Sequence, residues 1–314
     1  MPLRGDTPFL FDSERLAARR HDGAWLAAAL ADAGTRFVPV RAGANAYLWN
    51  DGAPRALLLE SRDARTLLGS AFCTVLLGEF GGQPCFALGL ETDAVLPASE
   101  LGDLRGVSAL LPADELGLLG YARAMAHWHR QHLFCGRCGA ATQSERGGHV
   151  RSCSACDAEI FPRLDPAIIV LVTEGERCLL GRQASWPKGR YSSIAGFVEH
   201  GETLEMAVAR EVLEETDIKV GAAHYVSSQP WPYPGSLMLG FRAEAASTAI
   251  RCNDAELEHA AWFSRDDIAN AVDAGLMMPP SRSISYRLIR AWYEEEPGRS
   301  FDALRHVDPN KAGR

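Results

Sequence analysis

Two Cys-x-x-Cys pairs, Cys135–Cys138 and Cys153–Cys156, stand fourteen residues apart and limit what this chain can fold into more than any other feature. A two-residue gap lets both thiolates of a pair turn toward one ion. Two such pairs complete a tetrahedron of soft sulfur ligands, the set that suits zinc. Four thiolates leave no position for water or substrate, so one structural zinc per chain is expected. Gly139, just after the first pair, permits a tight turn. Cys73, Cys85, Cys178 and Cys252 are scattered. The whole pattern reads as a metal site plus buried thiols in a reducing compartment, not as a disulfide framework. Arg137, Arg146 and Arg151 near the pairs read as a solvated face.

The chain has 314 residues, enough for two domains, and 23% are charged, as in an ordinary folded protein. Its formal net charge of −8 gives no general attraction for phosphate backbones, so any nucleic-acid contact needs a local basic patch. No apolar run reaches the ~18 residues of a membrane span. The first residues lack the apolar core of a signal peptide. A cytoplasmic protein without a membrane partner is expected.

Residues 1–110 carry no nameable motif. Asp51-Gly52 and Gly81-Gly82 each separate two strand-like runs and predict hairpins. Residues 113–132 predict a connecting helix. After the cysteines, residues 167–172 and 178–180 predict strands, and 203–216 predict a helix. Strands follow over 223–228 and 237–243, with helices over 264–274 and 281–295. The tail after Glu296 is polar and expected to fray. No internal repeat is visible, although two β-rich halves are compatible with shared ancestry. The expected domains are 1–120 (α+β), 121–162 (linker helix and ribbon) and 163–296 (catalytic), with a tail over 297–314.

The helix over 203–216 carries the chemistry. Thr203 can cap it. Leu204, Ala207, Val208 and Val212 form one apolar stripe. Glu211, Glu214 and Glu215 recur at i, i+3 and i+4 and share another face. Three carboxylates on one turn repel, unless they are partnered or bind hard cations such as Mg²⁺ or Mn²⁺. Arg210 can pair with Glu202 or Glu214. By periodicity alone, a solvated acidic helix with ordinary ion pairs is an equal alternative. The segment from Gly196 to Ile218 resembles the Nudix box, Gly-x5-Glu-x7-Arg-Glu-U-x-Glu-Glu-x-Gly-U, where U is bulky and apolar. Gly196, Glu202, Arg210, Glu211, Val212, Glu214, Glu215 and Ile218 match it. Asp217 stands where the box has glycine, at a position where a left-handed backbone is common.

Downstream, Ser228-Gln229-Pro230-Trp231-Pro232-Tyr233-Pro234-Gly235-Ser236 alternates prolines with aromatics and predicts a stiff exposed loop rather than a strand. A packed proline corner is the commoner use of such a stretch. The stretch is similar to the signature of the NADH pyrophosphatase branch of the Nudix hydrolases. That branch also carries a four-cysteine ribbon and an aromatic-proline pair after it, here Phe161-Pro162.

The resemblance implies an α/β fold: a Nudix α/β/α sandwich with a mixed sheet, preceded by the ribbon and an N-terminal α+β domain. It implies that Glu211, Glu214, Glu215, the Ala195 carbonyl and Glu256 hold catalytic Mg²⁺ or Mn²⁺, with Glu215 the base and Arg210 and Glu202 in support. It implies a dinucleotide site lined by Phe161, Phe197, Gln229, Pro230, Trp231, Pro232, Tyr233, Pro234, Gly235 and Ser236. Ser285 stands at a position where the family has a small residue, usually alanine. The implied reaction cleaves NADH or NAD to nicotinamide mononucleotide and AMP in a homodimer, with NAD-capped RNA a further substrate. The competing readings are a Nudix hydrolase of ADP-ribose or dinucleoside polyphosphates, which the proline loop argues against, and a non-catalytic nucleotide-binding regulator. The regulator would be expected to lose box acids, and all are present.

Overall fold

A computed structural model describes residues 7–97, 99–253, 256–270 and 275–304. It divides into two compact units. The first spans 8–164 and takes in 230–235. The second comprises 165–229, 236–314 and 1–7, in their described parts.

The first unit contains α1 (Gly23–Ala31), β1 (Arg36–Arg41), β2 (Ala44–Asn50), β3 (Ala53–Ala56), β4 (Leu59–Glu60), α2 (Ser61–Leu68), β5 (Cys73–Phe80), β6 (Gln83–Leu90), β7 (Glu100–Gly102), α3 (Leu104–Val107) and α4 (Ala113–Gln131). The ribbon adds β8 (Thr142–Glu145), β9 (Val150–Cys153) and β10 (Glu159–Ile160), a small antiparallel sheet in the order β10-β9-β8. The large sheet runs β3-β2-β1-β6-β5, and β1 and β6 are parallel. Alternation along its strands builds two cores. Val38, Val40, Val75 and Leu77 face the core that α4 covers with Leu116, Leu119 and Ala122. Phe37, Leu76, Phe86 and Leu88 face the core that α2 covers with Ala64 and Leu67. Both predicted hairpins form, with Asp51 and Gly81 in the left-handed region their tight turns require.

The second unit contains β11 (Asp165–Glu174), β12 (Arg177–Arg182), β13 (Ile194–Phe197), α5 (Leu204–Thr216), β14 (Val220–Trp231, its last two residues counted with the first unit), β15 (Ser236–Ala245), β16 (His259–Ser264), α6 (Arg265–Ala269) and α7 (Ile284–Tyr293). Its sheet order is β14-β15-β11-β12-β16, with β13 on β11. The β11–β15 pair is parallel, so the sheet is mixed. Ile168, Val170 and Val172 of β11 face α5, whose Ala207, Val208 and Val212 are fully buried. Ile169 and Leu171 face α7, through Ile284, Leu288 and Trp292. This is the expected α/β/α sandwich.

Three expectations change. The stretch predicted as a loop continues β14 through Pro230 to Trp231. An edge strand tolerates the missing N–H, and β14 is the edge of its sheet. The tail does not simply fray after Glu296, because Phe301 is fully buried against Tyr286 and Tyr293. The helix expected over 264–274 is α6, ending at Ala269, while 271–274, like 305–314 of the expected tail, lie outside the described residues. No helix among the described residues is long and apolar enough to cross a membrane.

Candidate active site

The ribbon brings its four thiols together as the spacing predicts. All four Sγ atoms lie within 4.8 Å of one another, with Cys135–Cys156 at 3.7 Å and Cys138–Cys153 at 3.4 Å. A tetrahedron with ~2.3 Å Zn–S bonds has edges of about 3.8 Å, so the set fits zinc. Each pair's turn aims a backbone N–H at its first sulfur: Arg137 to Cys135 and Ala155 to Cys153, both at 3.4 Å. These bonds favour the thiolates, and the Ala155 N–H leads in holding the Cys153 thiol down at about 7.

Arg151 is not the solvated arginine expected. It is buried, donating 2.6 Å to the Thr142 hydroxyl, 2.8 Å to the Thr142 carbonyl and 3.0 Å to His129 Nδ1. His129 in turn donates from Nε2 to the Gly148 carbonyl at 2.8 Å. Burial, reinforced by Arg151, pushes the His129 imidazole down to about 4 and keeps it neutral.

Helix α5 assembles the box. The Thr203 hydroxyl caps it from Met206 N–H at 3.3 Å. Asp217 ends it at φ 60°, the left-handed conformation that the box glycine position calls for. Arg210 is the hub. It grips Glu202 with two bonds of 2.7 and 3.1 Å, reaches Glu211 at 2.9 Å and Glu214 at 3.0 Å, and donates to the Phe197 carbonyl at 2.9 Å. Glu202 also accepts from the Glu199 N–H at 2.7 Å. Arg210 is the main reason its carboxyl is held below the ordinary range.

Glu211 moves the other way. Burial raises its carboxyl, Arg210 opposes the shift, and the charges of Glu214 and Glu256 add to it. Glu215 is 4% exposed, while the side chain of Glu214 is 53% exposed. The charges that reach Glu211 are hard oxygen donors of the type that suits a divalent cation. Among the described residues, however, only the four cysteines gather three or more ligand atoms within 4.8 Å of one another, and the expected acids are not drawn together to that degree. Gly196 explains its own place in the box. A Cβ there would stand 1.9 Å from Cδ of Glu211, so only a bare backbone lets that carboxylate lie against β13 beside Ala195.

The remaining expected site residues fall into two groups. Phe161 and Phe197 are exposed, at 42% and 60%, and free to meet a flat ring. Trp231 and Tyr233 are not held out on an exposed loop. Their centroids each lie 5.8 Å from Phe9, edge to face, and both rings pack on the first unit's core. Pro232 is buried and Pro234 is exposed. Gln229 is fully buried and donates to the Arg282 carbonyl at 2.7 Å. Ser236 is buried at the start of β15. Ser285 accepts from the Ser193 N–H and the Ser192 hydroxyl, each at 3.0 Å, and donates to the Ser193 hydroxyl at 2.9 Å. Sequence reading missed Ser192, Ser193 and Phe9. The serine run just before Ile194 was the available sign for the first two, and Phe9 gave none.

Three family models match the chain: a NUDIX domain over residues 163–285, an NADH pyrophosphatase zinc ribbon domain over 130–161, and an NADH pyrophosphatase-like rudimentary NUDIX domain over 16–128. The chain is 40% identical over 223 residues to the NAD-capped RNA hydrolase NudC of Stutzerimonas stutzeri, covering 71% of this chain and 78% of that one. It is 42% identical over 201 residues to the human NAD-capped RNA hydrolase NUDT12, covering 60% of this chain and 44% of that one. It therefore spans less than half the length of the primate relatives it matches.

Proposed function

Because this chain belongs to the NADH pyrophosphatase branch of the Nudix hydrolases, we propose that it hydrolyses the pyrophosphate of NADH and NAD to nicotinamide mononucleotide and AMP, and removes NAD caps from RNA. The observation that carries the reading is the full set of box acids on and just before α5, with Gly196 making room for Glu211 and Arg210 gripping Glu202. A nucleotide-binding regulator has no need of that arrangement.

Glu211, Glu214, Glu215 and Glu256, with the Ala195 carbonyl, would hold the catalytic Mg²⁺ or Mn²⁺. Such ions, when bound, neutralise the pyrophosphate charge and lower the pKa of attacking water. Glu215, almost enclosed, takes the proton from that water. Arg210 and Glu202 keep the acids from splaying and tie them to β13 through the Phe197 carbonyl. In-line attack is then a problem of positioning. Phe161 and Phe197 offer faces to the bases, and residues 229–236 supply backbone groups and edges. Trp231 and Tyr233 stiffen that segment through Phe9 more than they stack. Ser285 acts through Ser192 and Ser193, which lead into β13. The working form is a cytoplasmic homodimer.

The test is product analysis by mass after incubation with NADH, NAD, ADP-ribose and NAD-capped RNA, in Mg²⁺ and in Mn²⁺. AMP with nicotinamide mononucleotide, and 5′-monophosphorylated RNA from the capped substrate, are expected. Turnover of ADP-ribose alone, or binding without turnover, overturns the reading.

A further inference from the structure

The first unit holds a cavity of about 230 Å³ that the pyrophosphatase reading does not use. It opens beside the β1–β2 turn, the end of β6 and the C-terminal half of α4. Val40, Phe72 and Leu90 make apolar walls, and Glu91, His127 and Arg130 line it as well. The Arg130 guanidinium lies 5.2 Å from the centroid of the Phe72 ring and is paired with Glu91, both side chains being about half exposed.

Arg123, His127 and Arg130 stand at i, i+4 and i+7 and share one face of α4. Arg123 donates to the carbonyl of Gly43, itself a cavity residue. Its guanidinium also lies 5.3 Å from the ring of Tyr233, at the tip of the β14–β15 hairpin. A row of basic groups thus leads from the hairpin tip to an apolar slot with an aromatic wall.

We propose that this face of α4 and the Phe72 slot bind the RNA chain that follows an NAD cap, with the arginines on phosphodiesters and one base in the slot. The proposal rests on capped RNA being a substrate. A chain of net charge −8 repels RNA overall, so affinity has to come from a local basic row of this kind. Once Arg130 swings from the Phe72 face to a phosphate, the bared ring is a surface on which an unpaired base stacks with little regard to sequence. Glu91 is placed to accept from an exocyclic amine while Arg130 turns toward phosphate. A free dinucleotide has no chain beyond its AMP half to occupy the row, so the site distinguishes capped RNA from NADH.

The experiment uses the full-length, zinc-loaded protein with Arg130→Gln, Arg123→Gln and the pair combined. The Arg130–Glu91 pair is exposed and contributes little to folding. Two quantities are read: the affinity for a fluorescent single-stranded RNA with a 5′-monophosphate, across a salt series, and kcat/KM on NADH and on NAD-capped RNA. The combined variant should lose roughly tenfold or more on both RNA measures. Its salt slope should flatten by about 1.4, from ~0.7 per lost contact, while NADH turnover stays within about twofold. Unchanged RNA affinity and salt slope, or equal losses on RNA and NADH, overturn the proposal. A loss on NADH confined to Arg123→Gln would assign that residue to holding the hairpin and break the row. If the unaltered protein cleaves neither substrate, the pyrophosphatase reading fails by itself, and the binding arm still decides whether this face takes RNA.

Discussion

The two units are built on one plan and differ in what they carry. In the first, β1 pairs antiparallel with β2 and β4 and parallel with β6, β6 pairs antiparallel with β5, and β2 with β7. In the second, β11 pairs antiparallel with β12 and β13 and parallel with β15, β15 neighbours β14, and β12 pairs antiparallel with β16. Helix α2 stands in the chain where α5 does, and α4 where α7 does. Yet α2 is eight residues, Ser-Arg-Asp-Ala-Arg-Thr-Leu-Leu, with one acid, while α5 is thirteen residues and carries Glu211, Glu214 and Glu215 at i, i+3 and i+4. The sheet therefore does not demand the carboxylates. They are additions to a scaffold that folds without them, as expected when function resides in a site grafted on a fold.

Parallel substitutions in the two helices break this comparison most directly. Glu215→Gln should keep the fold and lose on the order of 10³ or more in turnover, because it removes a metal ligand or base. Asp63→Asn in α2 should leave turnover within about twofold. Comparable losses from the two, measured at saturating Mg²⁺ and Mn²⁺, would mean that the first unit shares in the chemistry.

The strand beside α5 gives the next largest effect. Gly196→Ala puts a methyl group 1.9 Å from Cδ of Glu211 and must displace that carboxylate. A shift of about 1 Å in a positioned group costs ~10²-fold in kcat/KM. Melting temperature should fall far less in proportion. Near-normal activity in this variant would show that Glu211 need not lie against β13.

What was legible in the residues follows the reach of each interaction. The ribbon, α5 and both glycine-turned hairpins are local: their signals sit within a few residues of what they form. The β1–β6 pairing joins residues some fifty apart and left no mark in either strand. The burial of Trp231 and Tyr233 depends on Phe9, more than two hundred positions away. Three prolines therefore read as an exposed loop, although an edge strand absorbs Pro230. The shared plan of the two units showed only as two β-rich halves compatible with common ancestry and not as a repeat, because sheets of one topology need only alternating apolar residues and not the same ones.

Acid should divide the units. His129 and His149 are held in the first unit, bonded at 2.8 Å to the Gly148 and Leu76 carbonyls, and burial pushes each imidazole down to about 4. In the second unit, His200, His224 and His259 are exposed. A histidine with a depressed folded pKa stabilises fully above its unfolded value near 6.5, and that stability is lost as pH falls toward about 4. Between pH 7.5 and 5.5 each buried histidine should account for ~1.4 kcal/mol of lost stability. Denaturant unfolding of the unaltered protein and of His129→Gln at both pH values isolates this from any proton uptake by the ribbon. The idea fails if His129→Gln loses as much on acidification as the unaltered protein.

The smallest effect comes from the ends of the two corresponding helices, where glycine and aspartate sit in inverted places. Helix α2 ends on Gly69 at φ −71°, an ordinary right-handed conformation with nothing within 4 Å of where a Cβ would stand. Helix α5 ends on Asp217 at φ 60°, where glycine is the unstrained choice. Gly69→Ala should stabilise by ~0.4–1 kcal/mol, because it narrows the unfolded ensemble without straining the fold. Asp217→Gly should gain a similar amount by relieving the left-handed backbone, offset in part by the freedom glycine adds to the unfolded chain. Each corresponds to a rise of ~1–4 °C in melting temperature. Turnover should be unchanged in both, since Asp217 caps the C-terminal end of α5, beyond the carboxylates. If Asp217→Gly lowers both stability and turnover, the aspartate is more than a tolerated substitute at the helix end, and the left-handed turn by itself does not account for its place.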